Sequence, residues 1–256
     1  MSKAGPRLEK KLSPESRRLR IDFTDGAVDV ELGHATTPVG IRCVMIKHGV
    51  TRASLPARAA TMEKPYAPAC DRNREPILAV LRECFADRSR VLEIGSGTGQ
   101  HAVHFAAALP HLTWQCTERD ENLAGIRMWL DEAALPNTPP PIALDVNGPW
   151  PSGRYDALFS ANTLHIMGWP EVERLFAALP EIVADEATLA IYGPFNLGGT
   201  FTSESNAAFD ASLRARDPRQ GLRDAEAVDA LARAAGFSLL ENRAMPANNR
   251  CLVWRR

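Results

Sequence analysis

The sequence predicts an α/β fold, a mostly parallel sheet covered by helices on both faces. Three observations predict it. Short apolar runs recur between residues 90 and 192, and helical patterns separate them. A glycine-rich turn, Gly95-Ser-Gly-Thr-Gly99, joins the first of these runs to a helix. The last two runs are linked by too short a loop for a crossover, so the closing strand is antiparallel.

The chain begins less legibly. Residues 1–61 hold a basic start, a weakly alternating stretch (Val28, Val30, Leu32) and a short apolar run over residues 39–46, with a Pro/Ala/Arg mixture typical of a linker at residues 52–60. A small β-hairpin module, a basic interaction arm, and an upstream extension ahead of a biological start at Met62 are all compatible with this text. The domain reading is therefore a poorly structured or extension segment over residues 1–61 and one α/β domain over residues 62–256.

From residue 63 the pattern sharpens. Residues 65–76 read as a turn-rich lead-in, dense in hydrogen-bonding groups: Tyr66, Asp71, Arg72, Asn73 and Arg74. Ile77, Leu78, Leu81 and Phe85 mark one face of a helix ending near Asp87, with Pro76 in its first turn, where a missing N–H does no harm. Val91, Leu92 and Ile94 form a buried strand. The glycines follow, and from Gln100 a helical face (Val103, Phe105, Ala106, Leu109) runs to Pro110. Residues 112–117 are a second strand ending at Glu118, about 20 residues beyond the glycines, where an acid in nucleotide-binding α/β folds meets ribose hydroxyls. Arg119 and Asp120 leave that position open by one or two residues.

Leu123, Ile126, Met128, Trp129 and Leu130 belong to the next helix, and residues 142–144 to a third strand closed by Asp145. Residues 155–160 are the fourth strand, delivering Asn162 and His165 beside the glycine turn if strand order reverses there, the place where open α/β sheets bind ligands. A helix over residues 171–179 and a strand over residues 187–192 continue the alternation. The segment 192–206 is long, nearly uncharged and rich in aromatic, hydroxyl and amide groups, as binding loops and lids are. A short helix follows (Phe209, Asp210, Leu213), and Asp224 caps another over residues 225–235, stopped by Gly236. Strands over residues 237–241 and 250–254 close the chain.

Composition narrows the function classes. A net charge of −1 gives no footprint for nucleic acid or an anionic membrane. Residues 1–61 are basic, however, with 11 Lys/Arg against 6 Asp/Glu. Five cysteines without C-x-x-C spacing argue against a disulfide framework or a zinc site and fit a reducing cytoplasm. No apolar run approaches the ~18–20 residues of a membrane span, and the first residues lack the order of a signal peptide. His101 and His104 share a helical face, yet no cysteine or acid completes a zinc site, so no metal is expected.

The glycine spacing selects among nucleotides. The dinucleotide fingerprint G-x-G-x-x-G fails here, since the spacing is G-x-G-x-G, which disfavours a nicotinamide oxidoreductase. No phosphate-clamping lysine follows, and Glu93 stands at the strand end, where a carboxylate meets a cationic ligand group. Glu93-Ile-Gly-Ser-Gly-Thr-Gly99 resembles motif I of the class I S-adenosylmethionine-dependent methyltransferases. More specific strings are Pro68-Ala-Cys-Asp-Arg-Asn-Arg-Glu-Pro76, Leu158-Phe-Ser-Ala-Asn-Thr-Leu-His-Ile166, Tyr192-Gly-Pro-Phe-Asn196, Phe201-Thr-Ser-Glu-Ser-Asn206 and Met245-Pro-Ala-Asn-Asn249. These resemble a family of short methyltransferase-like proteins found in bacteria and animals and catalogued mainly as a domain of unknown function. The likeness runs from about Lys64 to the C-terminus.

The resemblance implies a Rossmann-like class I fold with a seven-stranded sheet. It also implies an S-adenosylmethionine site at Glu93, Gly95, Ser96, Gly97, Gly99, Glu118 and Asp145, with Asp145 near the adenine amino group. Loop placement adds Asn73, Arg74, Asn162, Asn196, Asn206 and Asn249 as substrate-binding candidates, with His165 and Tyr192 as candidate proton acceptors. The Asn-Pro-Pro-Tyr motif of nucleic-acid amino methylation is absent, and Gly193-Pro-Phe-Asn196 does not replace it. The expected activity is methyl transfer to a small polar molecule. The alternative is a non-catalytic protein that retains the fold, against which stand the intact Glu93 and glycines.

Overall fold

The structure, a computed structural model, describes residues 63–256 and, ahead of them, the backbone of four strands. The chain divides into two compact units, Met1–Met62 and Glu63–Arg256. In the first, strands β1 (Leu8–Lys11), β2 (Arg18–Thr24), β3 (Ala27–His34) and β4 (Thr37–Val44) form an antiparallel sheet in chain order. Thr24 pairs with Ala27 and His34 with Thr37, so two residues separate each of these strand pairs. The linker at residues 52–60 and the start-site reading of Met62 fall outside the described residues.

The second unit opens with helix α1 (Pro68–Cys84), strand β5 (Arg90–Ile94), helix α2 (Gln100–Ala108) and strand β6 (Thr113–Glu118). Helix α3 (Leu123–Ala133), strands β7 (Ile142–Ala143) and β8 (Tyr155–Ala161), helix α4 (Trp169–Ile182) and strand β9 (Val183–Gly193) follow. The remainder holds β10 (Phe195–Asn196), α5 (Glu204–Arg216), β11 (Arg223–Asp224), α6 (Ala225–Ala234), β12 (Ser238–Met245) and β13 (Asn249–Arg255). Seven strands make one sheet in the order β12-β13-β9-β8-β5-β6-β7. Only β13 runs antiparallel to its neighbours in it. This is the Rossmann-like methyltransferase fold, with the antiparallel final strand expected from the short loop before it.

Side chains alternate across the sheet with the period of a strand. Val91, Ala157, Phe159 and Ala190 pack on one face against Ile77, Phe105 and Ile126 of α1, α2 and α3. Leu92, Leu158, Leu189 and Ile191 meet Val172, Leu175 and Val228 of α4 and α6 on the other. Each large apolar side chain buried this way contributes about 1.5–3 kcal/mol. The carboxylate of Asp156 accepts from the N–H groups of Ser89 and Arg90 and from the Ser89 hydroxyl, fixing where β5 begins beside β8. Chain order runs outward from β5 through β6 and β7, then reverses through β8 and β9. The reversal therefore lies at the carboxyl ends of β5 and β8, which is where a ligand is expected.

Two elements differ from the sequence expectation. Helix α1 begins at Pro68, so residues 68–76 are helical and Pro76 lies inside the helix. Apolar periodicity is missing from its first turns because the inward side chain there is polar: Asn73 faces another buried polar group, not the core. The segment 192–206 is also less irregular than expected. Phe195 is buried, β10 pairs in parallel with β11, and Leu197 and Thr200 exchange backbone hydrogen bonds. Helix α5 then starts at once, with the Ser203 hydroxyl accepting from the Asn206 N–H. The caps read from sequence hold: Asp224 accepts from the Glu226 N–H, and Gly236 takes φ +88° after α6. Among the described residues no helix is long and apolar enough to cross a membrane.

Candidate functional site

The turn between β5 and α2 is the centre of the site. The N–H groups of Gly95 and Ser96 both donate to the Thr117 carbonyl, at 3.1 and 2.9 Å, and the Ser96 hydroxyl accepts from the Thr117 N–H at 3.2 Å. These bonds bind the turn to β6. At Gly95, φ is +75° and an added Cβ would stand 2.7 Å from Thr163 Oγ1, so both conformation and space demand glycine. At Gly97, φ is +58° and an added Cβ would meet nothing within 4 Å; the space above it is open. The Gly97 N–H donates to Glu118 Oε2 at 2.8 Å, which brings the acid at the end of β6 to the glycine turn.

A cleft of about 400 Å³ opens beside this turn. Ile94, Gly95, Glu118, Leu144, Asp145 and Val146 line one side and Thr163, Ile166, Met167 and Glu171 the other. Asp145 Oδ1 accepts from the Asn147 backbone and side-chain N–H groups at 2.8 and 2.9 Å, and the backbone bond first of all holds its carboxyl below the usual range. Of the cofactor positions expected from sequence, Gly95, Glu118 and Asp145 line the cleft directly.

Glu93 is buried beneath the turn, 1% exposed, and accepts from Trp114 Nε1 at 3.0 Å. Burial pushes its carboxyl up to about 7, against the hydrogen bonds from Trp114 and Ser96 and with help from the nearby charge of Glu118. No cation pairs with it among the described residues. A buried acid in this state favours a positively charged group brought to it.

A strap leads over to α1. Lys64 lies 3.8 Å from the centre of the Trp129 ring and pairs with Glu132, Trp129 Nε1 donates to the Pro65 carbonyl at 2.7 Å, and the Ala67 N–H donates to Gln100 Oε1 at 2.6 Å. The Thr98 hydroxyl donates to the same oxygen. The strap is thus pinned to α3 and to the first residue of α2.

Beyond it, a buried polar pair links α1 and α2: Asn73 Oδ1 lies 2.7 Å from His101 Nε2. Burial raises Tyr192 above its ordinary value, and burial, then the charges of His104 and Arg74, holds His101 down at about 4. His104 turns the other way and approaches Glu75 at 3.1 Å, so the two histidines serve different partners.

The remaining candidates divide. Asn162 and His165 stand at the end of β8, and Gly193 at the end of β9 faces them. Arg74 is exposed and pairs with Asp71. Asn206 donates to the Thr202 hydroxyl and the Asn248 carbonyl, and Asn249 to the carbonyls of Pro246 and Ala247; both tie down the β12–β13 turn. Asn196 is half-buried on β10, with Oδ1 lacking a partner among the described residues. Sequence reasoning passed over Gln100, Thr163 and Arg223. Gln100 directly follows the third glycine, a signal that marks its place but not its bond to a strap 33 residues away. Arg223 had no signal, because its partners are main-chain carbonyls of a distant turn.

Comparison with known proteins agrees with this architecture. The family described as "Protein of unknown function (DUF938)" matches residues 64–256. An O-methyltransferase family protein from Burkholderia thailandensis superposes with a TM-score of 0.63 at 18% identity, over 73% of this chain and 57% of that one. The S-adenosylmethionine-dependent methyltransferase SibL, in its apo form, gives 0.64 at 21%, over 73% and 55%. PigF with SAH gives 0.61 at 19%, over 73% and 56%. This chain therefore spans little more than half the length of these structures, and at such identities the likeness establishes the class I methyltransferase fold.

Proposed function

We propose that this chain, which belongs to the family described as Protein of unknown function (DUF938), is an S-adenosylmethionine-dependent methyltransferase acting on a small polar molecule. The observation that carries the reading is the Gly97 N–H on Glu118 at the reversal of strand order, beside an open cleft. The residues present fit the cofactor. The space above Gly97 admits a ligand against the backbone, Glu118 offers a carboxylate for ribose hydroxyls, and Leu144, Val146 and Met167 offer apolar walls for a purine with Asp145 at its edge. Glu93 is a buried acid that pairs with no cation among the described residues, suited to the amino group of the methionine portion. The likeness to SibL and to PigF with SAH supports the same reading.

When bound, S-adenosylmethionine supplies an electrophilic methyl group on a sulfonium. The protein's part is to align the acceptor and exclude water. Neither candidate base is set up to take a proton at neutral pH. Burial, then Arg223 and Arg216, holds His165 at about 4, and burial raises Tyr192. In this reading both serve chiefly to position the acceptor. Calorimetric titration with S-adenosylmethionine and S-adenosylhomocysteine, with NAD as control, tests the proposal. Micromolar binding that disappears in Gly97→Arg is expected. Absence of binding to a folded wild-type protein refutes it and leaves a non-catalytic role for the fold.

A further inference from the structure

Asn162 follows the last residue of β8 with φ +58°, a left-handed conformation that costs a non-glycine residue about 1 kcal/mol or more. Its N–H is tied to the Tyr192 carbonyl at 2.9 Å, which fixes its backbone. Its side chain has no hydrogen bond among the described residues. His165 is 7% exposed, and the Phe209 ring meets it edge-on at 5.3 Å. Neither of its ring nitrogens has a hydrogen bond among the described residues, and neither is sealed from solvent. Both groups look at one place. A Cβ on Gly193 would stand 3.8 Å from His165 Nδ1 and 3.9 Å from Asn162 Oδ1. Absence of a side chain at Gly193 thus leaves a niche whose polar walls are an imidazole and an amide free to flip.

The charge behind the niche is positive. Arg223 is 8% exposed, and its guanidinium donates to the carbonyls of Leu164 and Met167, in the turn that carries His165, and to that of Arg219. It has no carboxylate partner among the described residues. Asp210 is engaged with Arg214 and the Leu222 N–H, and Glu171 approaches Arg219. A buried cation held by carbonyl dipoles and the face of Trp169, without a carboxylate, stabilises a negative charge placed nearby.

We propose that Asn162, His165 and Gly193 form a subsite for an oxyanion of the methyl acceptor, a carboxylate or an ionised hydroxyl, with Arg223 as the positioning charge behind it. The acceptor role rests on the methyltransferase reading; the niche does not. The neutral imidazole N–H and the Asn162 amide N–H donate to the oxygen, and a ligand that arrives ionised requires no protein base. This assigns the substrate class within "small polar molecule" to acids and acidic hydroxyl compounds.

Acetate and acetamide have the same size and differ in charge, so they test the niche without knowledge of the substrate. The full chain, carrying ¹³C at histidine Cε1, is titrated with each, with and without S-adenosylhomocysteine, and the His165→Gln variant identifies the His165 signal. Acetate is expected to shift that signal saturably, with acetamide about tenfold weaker or silent. Gly193→Ala places a methyl in the niche at ordinary contact distance, so it folds and loses the response to acetate. Arg223→Met weakens the response about tenfold. Equal response to both probes, no response to acetate, or a response unchanged in Gly193→Ala overturns the proposal. Failure of S-adenosylhomocysteine to bind while acetate still shifts His165 removes the methyltransferase reading and leaves the anion subsite standing.

Discussion

Substituting Glu93 by glutamine tests the buried acid at the base of the site. The native carboxyl titrates at about 7 against an ordinary 4.5, and the cause is burial. Between those two pH values the folded state holds a proton that the unfolded chain has lost. Raising the pH through this window therefore destabilises the wild-type protein. The difference of about 2.5 units corresponds to a loss of about 3 kcal/mol that is complete near pH 8. Glutamine has the same shape, keeps an oxygen for Trp114 Nε1 and does not titrate. Urea denaturation of both proteins at pH 5, 6, 7 and 8 should show the variant gaining on the wild type by about 2–2.5 kcal/mol across the series, part of the loss being already complete at pH 5. Binding gives an independent reading. A cationic amine beside Glu93 favours its ionised form, so S-adenosylmethionine should displace a proton near pH 6.5 in the wild type and none in the variant. Calorimetry in buffers of different ionisation enthalpy measures that proton. Parallel stability curves for the two proteins would show that the burial argument is wrong.

Gly97→Ala and Gly95→Ala share the cost of a left-handed alanine, about 1–2 kcal/mol, but only the second must also displace Thr163. Thermal melting should put Gly97→Ala roughly 2–8 °C below the wild type and Gly95→Ala lower still, with S-adenosylhomocysteine affinity lost in both. Gly125→Ala would bring a Cβ to 2.6 Å from Pro65 Cγ and push the strap off α3. Hydrogen exchange should then show the Ala67 amide, now bonded to Gln100, losing protection. Asn73→Leu strands His101 Nε2, and urea denaturation should register a loss of about 1–3 kcal/mol for the group left unpaired.

Where a local rule governs, the sequence by itself determined the outcome. Strand period and apolar runs located β5, β6, β8 and β9; the G-x-G-x-G spacing located the turn; and Asp224 and Gly236 bounded α6. Each of these signals lies within a few residues of the structure it specifies, because caps, periodicity and positive φ are properties of neighbouring residues. Glu118 was legible for a related reason: a fixed strand-turn-helix-strand length carries it back to the glycines. Only the tertiary structure decided the rest. Helix α1 has polar first turns because Asn73 answers to His101, a residue with no sequence proximity to it. Arg223 reads as a surface charge before a helix until the turn that carries His165 folds over it. Gly193 matters for the space between two side chains delivered by another strand. Asn206 and Asn249, chosen by loop placement as Asn162 was, bond to their own surroundings instead. Local geometry follows from a residue and its neighbours; which side chains are left without partners, and so available to a ligand, depends on every chain segment that packs around them.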